Sequence, residues 1–206
     1  MNDRMNRSCF WLSLTTSAII IAGCGAKSYQ KQRYLLNARR APSTVAGDRQ
    51  SIVEVRRFTI DPAFSAKGLT YRKSEFEYES DFYNESLIAP DAMVTEKVRN
   101  WLSAAGLSRR VLDPGSYMDP THVLEGNVVG LYGDFRNNAS PKAVMEIRVF
   151  LLDMKTSADP AIVFGKTYNS SAALESKGAG GVIGALDRCL VEILTDLEKD
   201  LVEYLP

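Results

Sequence analysis

From residue 51 onward the apolar positions of this chain follow two periods, and each predicts its own kind of element. In "SIVEVRRFTI" (51 to 60), Val53 and Val55 fall on one parity and Phe58 and Ile60 on the other. The change predicts strand interrupted by a bulge or twist near Arg56-Arg57. "GLTYRKSEFEYES" (68 to 80) shows the same change, from Leu69 and Tyr71 to Phe76 and Tyr78, as a hairpin turning near Lys73-Ser74 requires. Pro90 then suits the first turn of a helix, and Asp91 suits its positive end. Val94, Val98, Trp101, Leu102 and Ala105 recur at three- and four-residue steps, and Gly106 supplies the stop. "RRVLD" reads as a short strand and "THVLEGNVVGLYGDF" (121 to 135) as a long one whose glycines imply a bulge or close packing. In "KAVMEIRVFLLDM" (142 to 154), Ala143, Met145, Ile147, Val149 and Leu151 should face the core, with Glu146 and Arg148 facing water. "AIVFGKTYNSSAAL" (161 to 174) follows after the turn "KTSADP". A last helix runs from about Ala179 to Tyr204, its apolar face made by Val182, Leu186, Cys189, Leu190, Ile193, Leu197 and Leu201. These elements predict an α+β fold: a two-layer sandwich of mostly antiparallel sheet with two helices on one face. The other face is free to stay exposed or to meet a partner.

The N-terminal pattern is of a different kind. Arg4 and Arg7 precede a mostly apolar run from Phe10 to Ala22 that ends in small residues, the layout of a signal peptide over residues 1–23. Ser13, Thr15, Thr16 and Ser17 dilute it, whereas a permanent span takes about 20 predominantly apolar residues. Composition narrows the rest. In 206 residues, 25 basic side chains balance 25 acidic ones, so no global field draws the chain to nucleic acid or to an anionic surface. A hydrophobic content of 45% with 24% charged residues matches one globular domain.

The stretch Ile21-Ala22-Gly23-Cys24 resembles the bacterial lipobox, with Ile21 where leucine is usual. The resemblance implies cleavage before Cys24, a diacylglycerol thioether on its sulfur and a further acyl chain on its new amine. Cys9 would then leave with the signal peptide, so Cys189 has no partner for an intrachain disulfide. Among Leu186, Leu190 and Ile193 it reads as a buried, inert thiol. Each buried methylene of an acyl chain adds roughly 0.8 kcal/mol, so several chains would hold the mature protein on a membrane. Residues 24–33 are the lipidated tether, which at about 3.3 to 3.6 Å per residue keeps the domain, 34–206, within about 35 Å of the bilayer. Whether Tyr34-Leu35-Leu36 pairs as an edge strand depends on the loop "NARRAPSTVAGDRQ" (37 to 50).

Chemistry-bearing motifs are scarce. His122, the sole histidine, lacks HExxH, CxxC or GxSxG company and reads as structural or solvated. Glu75, Glu77, Glu79, Asp81 and Glu85 invite a two-carboxylate hydrolase reading. Alternation with Phe76 and Tyr78 makes a solvated face the simpler one. "GAGGVIG" (178 to 184) misses GxGxxG by one residue and reads as a flexible approach to the last helix. No metal or cofactor is called for, and the reading is non-enzymatic. Two aromatic groups stand out: Phe76, Tyr78, Phe82 and Tyr83 before the first helix, and Leu131, Tyr132 and Phe135 at the end of a strand. Core and edge packing is one explanation of them, and an interface or apolar groove the other.

Taken in order, the lipobox, the short tether, "RYLL", "VEVRRFTI", "GLTYRKSEFEYESDFYNESLIAP", "VRNWLSAAGLSRRV" and "LEGNVVGLYGDF", closed by an alternating strand and a long helix, resemble the ABC-type transport auxiliary lipoproteins. A tryptophan common in that family shortly before the helix proline is absent, and Phe82 and Tyr83 occupy its neighbourhood. The resemblance implies a non-enzymatic docking component of an MCE-type ABC lipid transport system, with an MCE-domain protein as partner and self-assembly left open. Gly25, in place of the aspartate that retains many lipoproteins at the inner membrane, implies the periplasmic face of the outer membrane. Phe82, Tyr83, Tyr132 and Phe135 are the candidate partner contacts and Cys24 the lipidation site. An envelope-assembly or secretion-machine adaptor with the same anchor is the other reading.

Overall fold

The computed structural model describes residues 30–41, 49–154 and 160–205. The segment read as signal peptide (1–23), Cys24, the expected tether as far as Tyr29, half of the 37–50 loop and most of the "KTSADP" turn lie outside the described residues. From Lys31 onward the chain forms one compact unit. Its elements are β1 (Gln32–Tyr34), β2 (Ile52–Val55), β3 (Thr59–Ile60), β4 (Gly68–Arg72), β5 (Tyr78–Ser86), α1 (Pro90–Ala105), β6 (Arg110–Leu112), β7 (His122–Asp134), β8 (Lys142–Asp153), β9 (Ala161–Ala173) and α2 (Ala179–Leu201). β1 thus starts inside the stretch that the sequence gives to the tether. The Tyr34 cluster does pair, parallel to β5 at the sheet edge.

β7 is the spine of a single nine-stranded sheet. On one side it pairs antiparallel with β8 over its whole length, and β8 pairs antiparallel with β9. On the other side β2, β3 and β4 follow one another along β7, each parallel to it. The long ladders are antiparallel as the sequence predicts, and the short parallel ladders are not foreseen. Their cause is local: the chain breaks at Arg56-Arg57 and again at a 3-10 turn (Pro62–Phe64), but continues in the same direction. The parity change at Arg56-Arg57 therefore returns Phe58 to the side of Val53 and Val55, and all three are buried.

Both helices lie on one face and close one core. α1 presents Val94, Val98, Trp101, Leu102 and Ala105 inward, starts with Pro90 and ends at Gly106, whose φ of 67° is left-handed. α2 buries the predicted Val182-to-Leu201 stripe and ends at Leu201, with a turn over 202–204 in place of more helix. At about 1.5 Å per residue it spans roughly 35 Å of sheet. Ala143, Met145, Ile147, Val149 and Leu151 of β8 complete the core, while Arg148 on the opposite face is exposed. Gly126 of β7 has a packing reason: a Cβ there would stand 2.3 to 2.5 Å from the ring of buried Phe58. The Phe58 amide, in turn, donates to Thr95 Oγ1 of α1 at 3.0 Å, which ties the strand break to the helix above it.

Candidate docking surface

The β4–β5 hairpin holds more chain on one arm than on the other, and the surplus builds an exposed aromatic surface. Its turn is closed by the Lys73 amide donating to the Glu77 carbonyl at 2.9 Å, and Phe76 at the tip is 89% exposed. The sequence reading of Glu75 to Glu77 as strand is corrected by that turn. Beyond it, Thr70 pairs with Ser80 and Gly68 with Glu85. Four residues, Asp81 to Asn84, therefore stand opposite the single Leu69. A bulge of this size survives only where its backbone groups find other partners.

Asp81 supplies them. Its Oδ1 accepts from the amides of Tyr83 (2.8 Å) and Asn84 (2.9 Å), and its Oδ2 from Asn84 Nδ2 (2.8 Å) and the Tyr71 hydroxyl (2.8 Å). Burial pushes the Asp81 carboxyl up, but the bonds from Asn84, Tyr71 and the two amides outweigh it and leave the carboxyl below its usual range. Burial, then the bond to Asp81, raises the Tyr71 phenol. Gly68 leaves the room, since a Cβ there would lie 2.6 Å from the Asp81 carbonyl oxygen. With the backbone folded inward, Phe82 and Tyr83 project from the edge, 70% and 44% exposed, their rings perpendicular at 5.2 Å. Lys31 Nζ lies 4.7 Å from the Phe82 ring centre, within cation–π range, while Lys31 and Arg33 each contact Glu85 at 3.0 Å.

A second aromatic group forms a wall beside the hairpin. Tyr132 of β7 stacks on Phe64 at 5.7 Å, and Tyr78 meets Tyr132 edge-on at the same separation, with Arg72 5.4 Å above the Tyr78 ring. Phe135 is not part of it. It is partly buried against the core, edge-to-face with Tyr71 at 5.5 Å. Of the four contacts inferred from sequence, Phe82 and Tyr83 stand out at the edge, Tyr132 is half-buried in the wall and Phe135 is packing. Phe64 and Asp81 were missed. An aspartate followed at two and three residues by the amides it caps is an Asx-turn signal, and it was legible at Asp81.

The remaining candidates have structural partners. His122 is buried at the start of β7 with Nδ1 2.9 Å from Thr121 Oγ1. Glu79 pairs with Lys73 at 3.2 Å, and Glu75 and Glu77 are exposed around the turn. Gly178 precedes α2 with φ of 86°, a conformation that favours glycine. Cys189 is free and buried, and burial raises its thiol. Among the described residues no three His, Cys, Asp or Glu side chains gather as a metal site, and no helix is long and apolar enough to cross a membrane. Where β4 parts from β7, a narrow cleft between sheet and helices, lined by Leu69, Met93, Leu131, Val182 and Leu186, encloses about 20 Å³. That is room for one water and not for an acyl chain.

The chain is thus an α+β protein of one mixed sheet and two helices, with a cluster of exposed aromatic rings on an edge hairpin. No family model and no curated protein matches it. Solved structures do. Protein XCC0632 of Xanthomonas campestris, described under family DUF330, superposes with a TM-score of 0.70 at 16% identity, over 83% of this chain and 95% of that one. An uncharacterized protein superposes at 0.66 and 12% identity, over 84% and 99%. Hypothetical protein CT253 of Chlamydia trachomatis reaches 0.48 at 13% identity, over 72% and 95%, too far in shape to carry an argument. The likeness to the first two is one of fold.

Proposed function

We propose that this chain is a lipoprotein, acylated at Cys24 and facing the periplasm from the outer membrane, that acts without catalysis of its own as an accessory component of an MCE-type ABC lipid transport system. The observation that carries this reading is the contrast between a narrow interior cleft and a stacked aromatic group that reaches the surface. Among the described residues, the cleft of about 20 Å³ between sheet and helices is too small to take up a transported lipid. Phe64, Tyr78 and Tyr132 instead offer a rigid aromatic wall, the kind of surface enriched at protein interfaces. Lipid handling then belongs to the MCE-domain partner, and this chain holds that partner at the membrane.

The test is capture. The mature lipoprotein, extracted in mild detergent, retains a purified MCE-domain protein encoded beside it, and Tyr132→Ala weakens the retention. No retention at low salt, together with neighbouring genes for a secretin or an assembly machine, would replace this reading with that of an envelope adaptor. For the anchor, Cys24→Ala abolishes labelling by a fatty-acid probe and releases the chain from membranes.

A further inference from the structure

The start of β1 lies beside the β5 bulge, and the strand register places it there. β4 is parallel to β7 and ends opposite Asp134, at the far end of β7, so the hairpin turn lies there. β5 returns antiparallel from that turn, and β1 runs parallel to β5. β1 pairs with the last three residues of β5, Asn84 to Ser86, so its start stands beside the bulge that carries Phe82 and Tyr83. The contact between Lys31 and the Phe82 ring shows the two features side by side.

We propose that this end of the domain, through Phe76, Phe82 and Tyr83, rests in the headgroup layer of the membrane that holds the lipid anchor. The inference depends on acylation of Cys24. Six residues lie between Cys24 and Lys31, a span of at most about 25 Å when fully extended. A tether that short, joining beside the bulge, brings Phe82 and Tyr83 close to the lipid. Aromatic side chains settle at the membrane interface, where ring and headgroup both find partners. The charges around the rings are nearly balanced, as suits a zwitterionic surface: Lys31, Arg33, Arg72 and Lys73 stand among Glu75, Glu77, Glu79, Asp81 and Glu85, one carboxylate in excess. Phe82 and Tyr83 thus take a different role from Tyr132, which stays with the protein-facing wall.

Tyr117 supplies the control. It is fully exposed in the 113–121 loop that leads into the start of β7. The length of β7, roughly 40 Å at about 3.3 Å per residue, separates that loop from the hairpin turn. Full-length protein is expressed as Phe82→Trp, Phe76→Trp or Tyr117→Trp, and the mature lipoprotein is reconstituted into phosphatidylcholine vesicles with or without bromine on the upper acyl chain. Trp101, buried, gives the constant background, and Trp11 leaves with the signal peptide. The expected result is loss of most of the added fluorescence for Phe82→Trp and Phe76→Trp in brominated lipid, and none for Tyr117→Trp.

Equal responses at Phe82 and Tyr117 overturn the proposal. So does a Phe82→Trp signal that is shielded from aqueous iodide yet untouched by bromine, which assigns the ring to a protein contact. Flotation with the vesicles and acyl labelling read the anchor separately. If both persist without quenching, the membrane contact alone is wrong. If both vanish, the lipoprotein reading falls and this inference with it.

Discussion

Asp81→Ala removes the carboxylate that folds the β5 bulge, and its effect can be worked from the bonds it breaks. Two backbone amides, one side-chain amide and one phenol lose their acceptor at once, all within 2.9 Å in the parent. A bond to a charged group is worth about 1.5 to 3 kcal/mol net, and bonds sharing one carboxylate are not additive, so the expected loss is about 3 kcal/mol. For a domain of this size that lowers the melting temperature by about 6 to 12 °C. Asp81→Asn should fall between, since one oxygen still serves the two amides while its NH2 meets Asn84 Nδ2 or the Tyr71 hydroxyl. Acid should erase the difference. Because the Asp81 carboxyl is held below its usual range, its contribution is complete above the unfolded value of about 4 and disappears as the pH falls through the lower folded value. The assay is thermal unfolding followed by circular dichroism at neutral and acid pH, with hydrogen exchange at the Tyr83 and Asn84 amides. A variant that melts with the parent at neutral pH, its two amides equally protected, would refute the assignment of the bulge to Asp81.

Gly126→Ala should destabilise by about 1 to 3 kcal/mol, the usual cost of overpacking, because its Cβ would intrude on Phe58; Phe58→Leu should relieve it in a double-mutant melt. Glu198→Gln should cost about 1.5 to 3 kcal/mol and alter Trp101 emission, since Glu198 takes both Arg40 Nε (2.6 Å) and Nη2 (2.7 Å) as well as Trp101 Nε1 (2.8 Å). The bond from Arg40, against burial, holds the Glu198 carboxyl low, so this difference too should fade in acid. Glu85→Gln should leave global melting unchanged while hastening hydrogen exchange in β1, whose start Lys31 and Arg33 pin to Glu85; equal protection of β1 would show that backbone pairing alone secures it.

What the sequence made legible was whatever a short window determines. Pro90 and Gly106 bracket α1 because proline geometry and left-handed glycine act within one turn, and β8 was legible because Ala143 to Leu151 alternate without interruption. The parity change at Arg56-Arg57 marked a break in the strand, but not that β2, β3 and β4 would share β7 as a parallel neighbour, since register against a distant strand leaves no trace in local spacing. The same limit explains the site. Phe82 and Tyr83 were visible as aromatics, whereas their exposure depends on Leu69 facing four residues of β5. Phe135 looked equivalent to Tyr132, yet one lies against Tyr71 and the core and the other on Phe64. The Cys24 reading rests on the opposite kind of signal, a short linear motif that a peptidase and an acyltransferase would read before any fold exists.

The bulge also ties β1 to the exposed rings. Tyr71 and Asn84 both donate to Asp81, and the Tyr34 hydroxyl of β1 sits 3.1 Å from Asn84 Oδ1 and 2.6 Å from Gln32 Oε1. One polar network therefore spans β4, β5 and β1, directly behind Phe82 and Tyr83. β1 is only three residues long and pairs with a single neighbour, so its position depends on those side chains more than that of any central strand does. A tether pulling on Lys31 would load β1 first, and through Tyr34 and Asn84 it would load the element that aims the rings. Exposed aromatics on a free loop would lose much of their contact energy to ordering, as each immobilised side chain costs about 0.5 to 1.5 kcal/mol. Built on this network they are ordered beforehand, and the three surplus residues of β5 act as a platform fixed where the chain comes in.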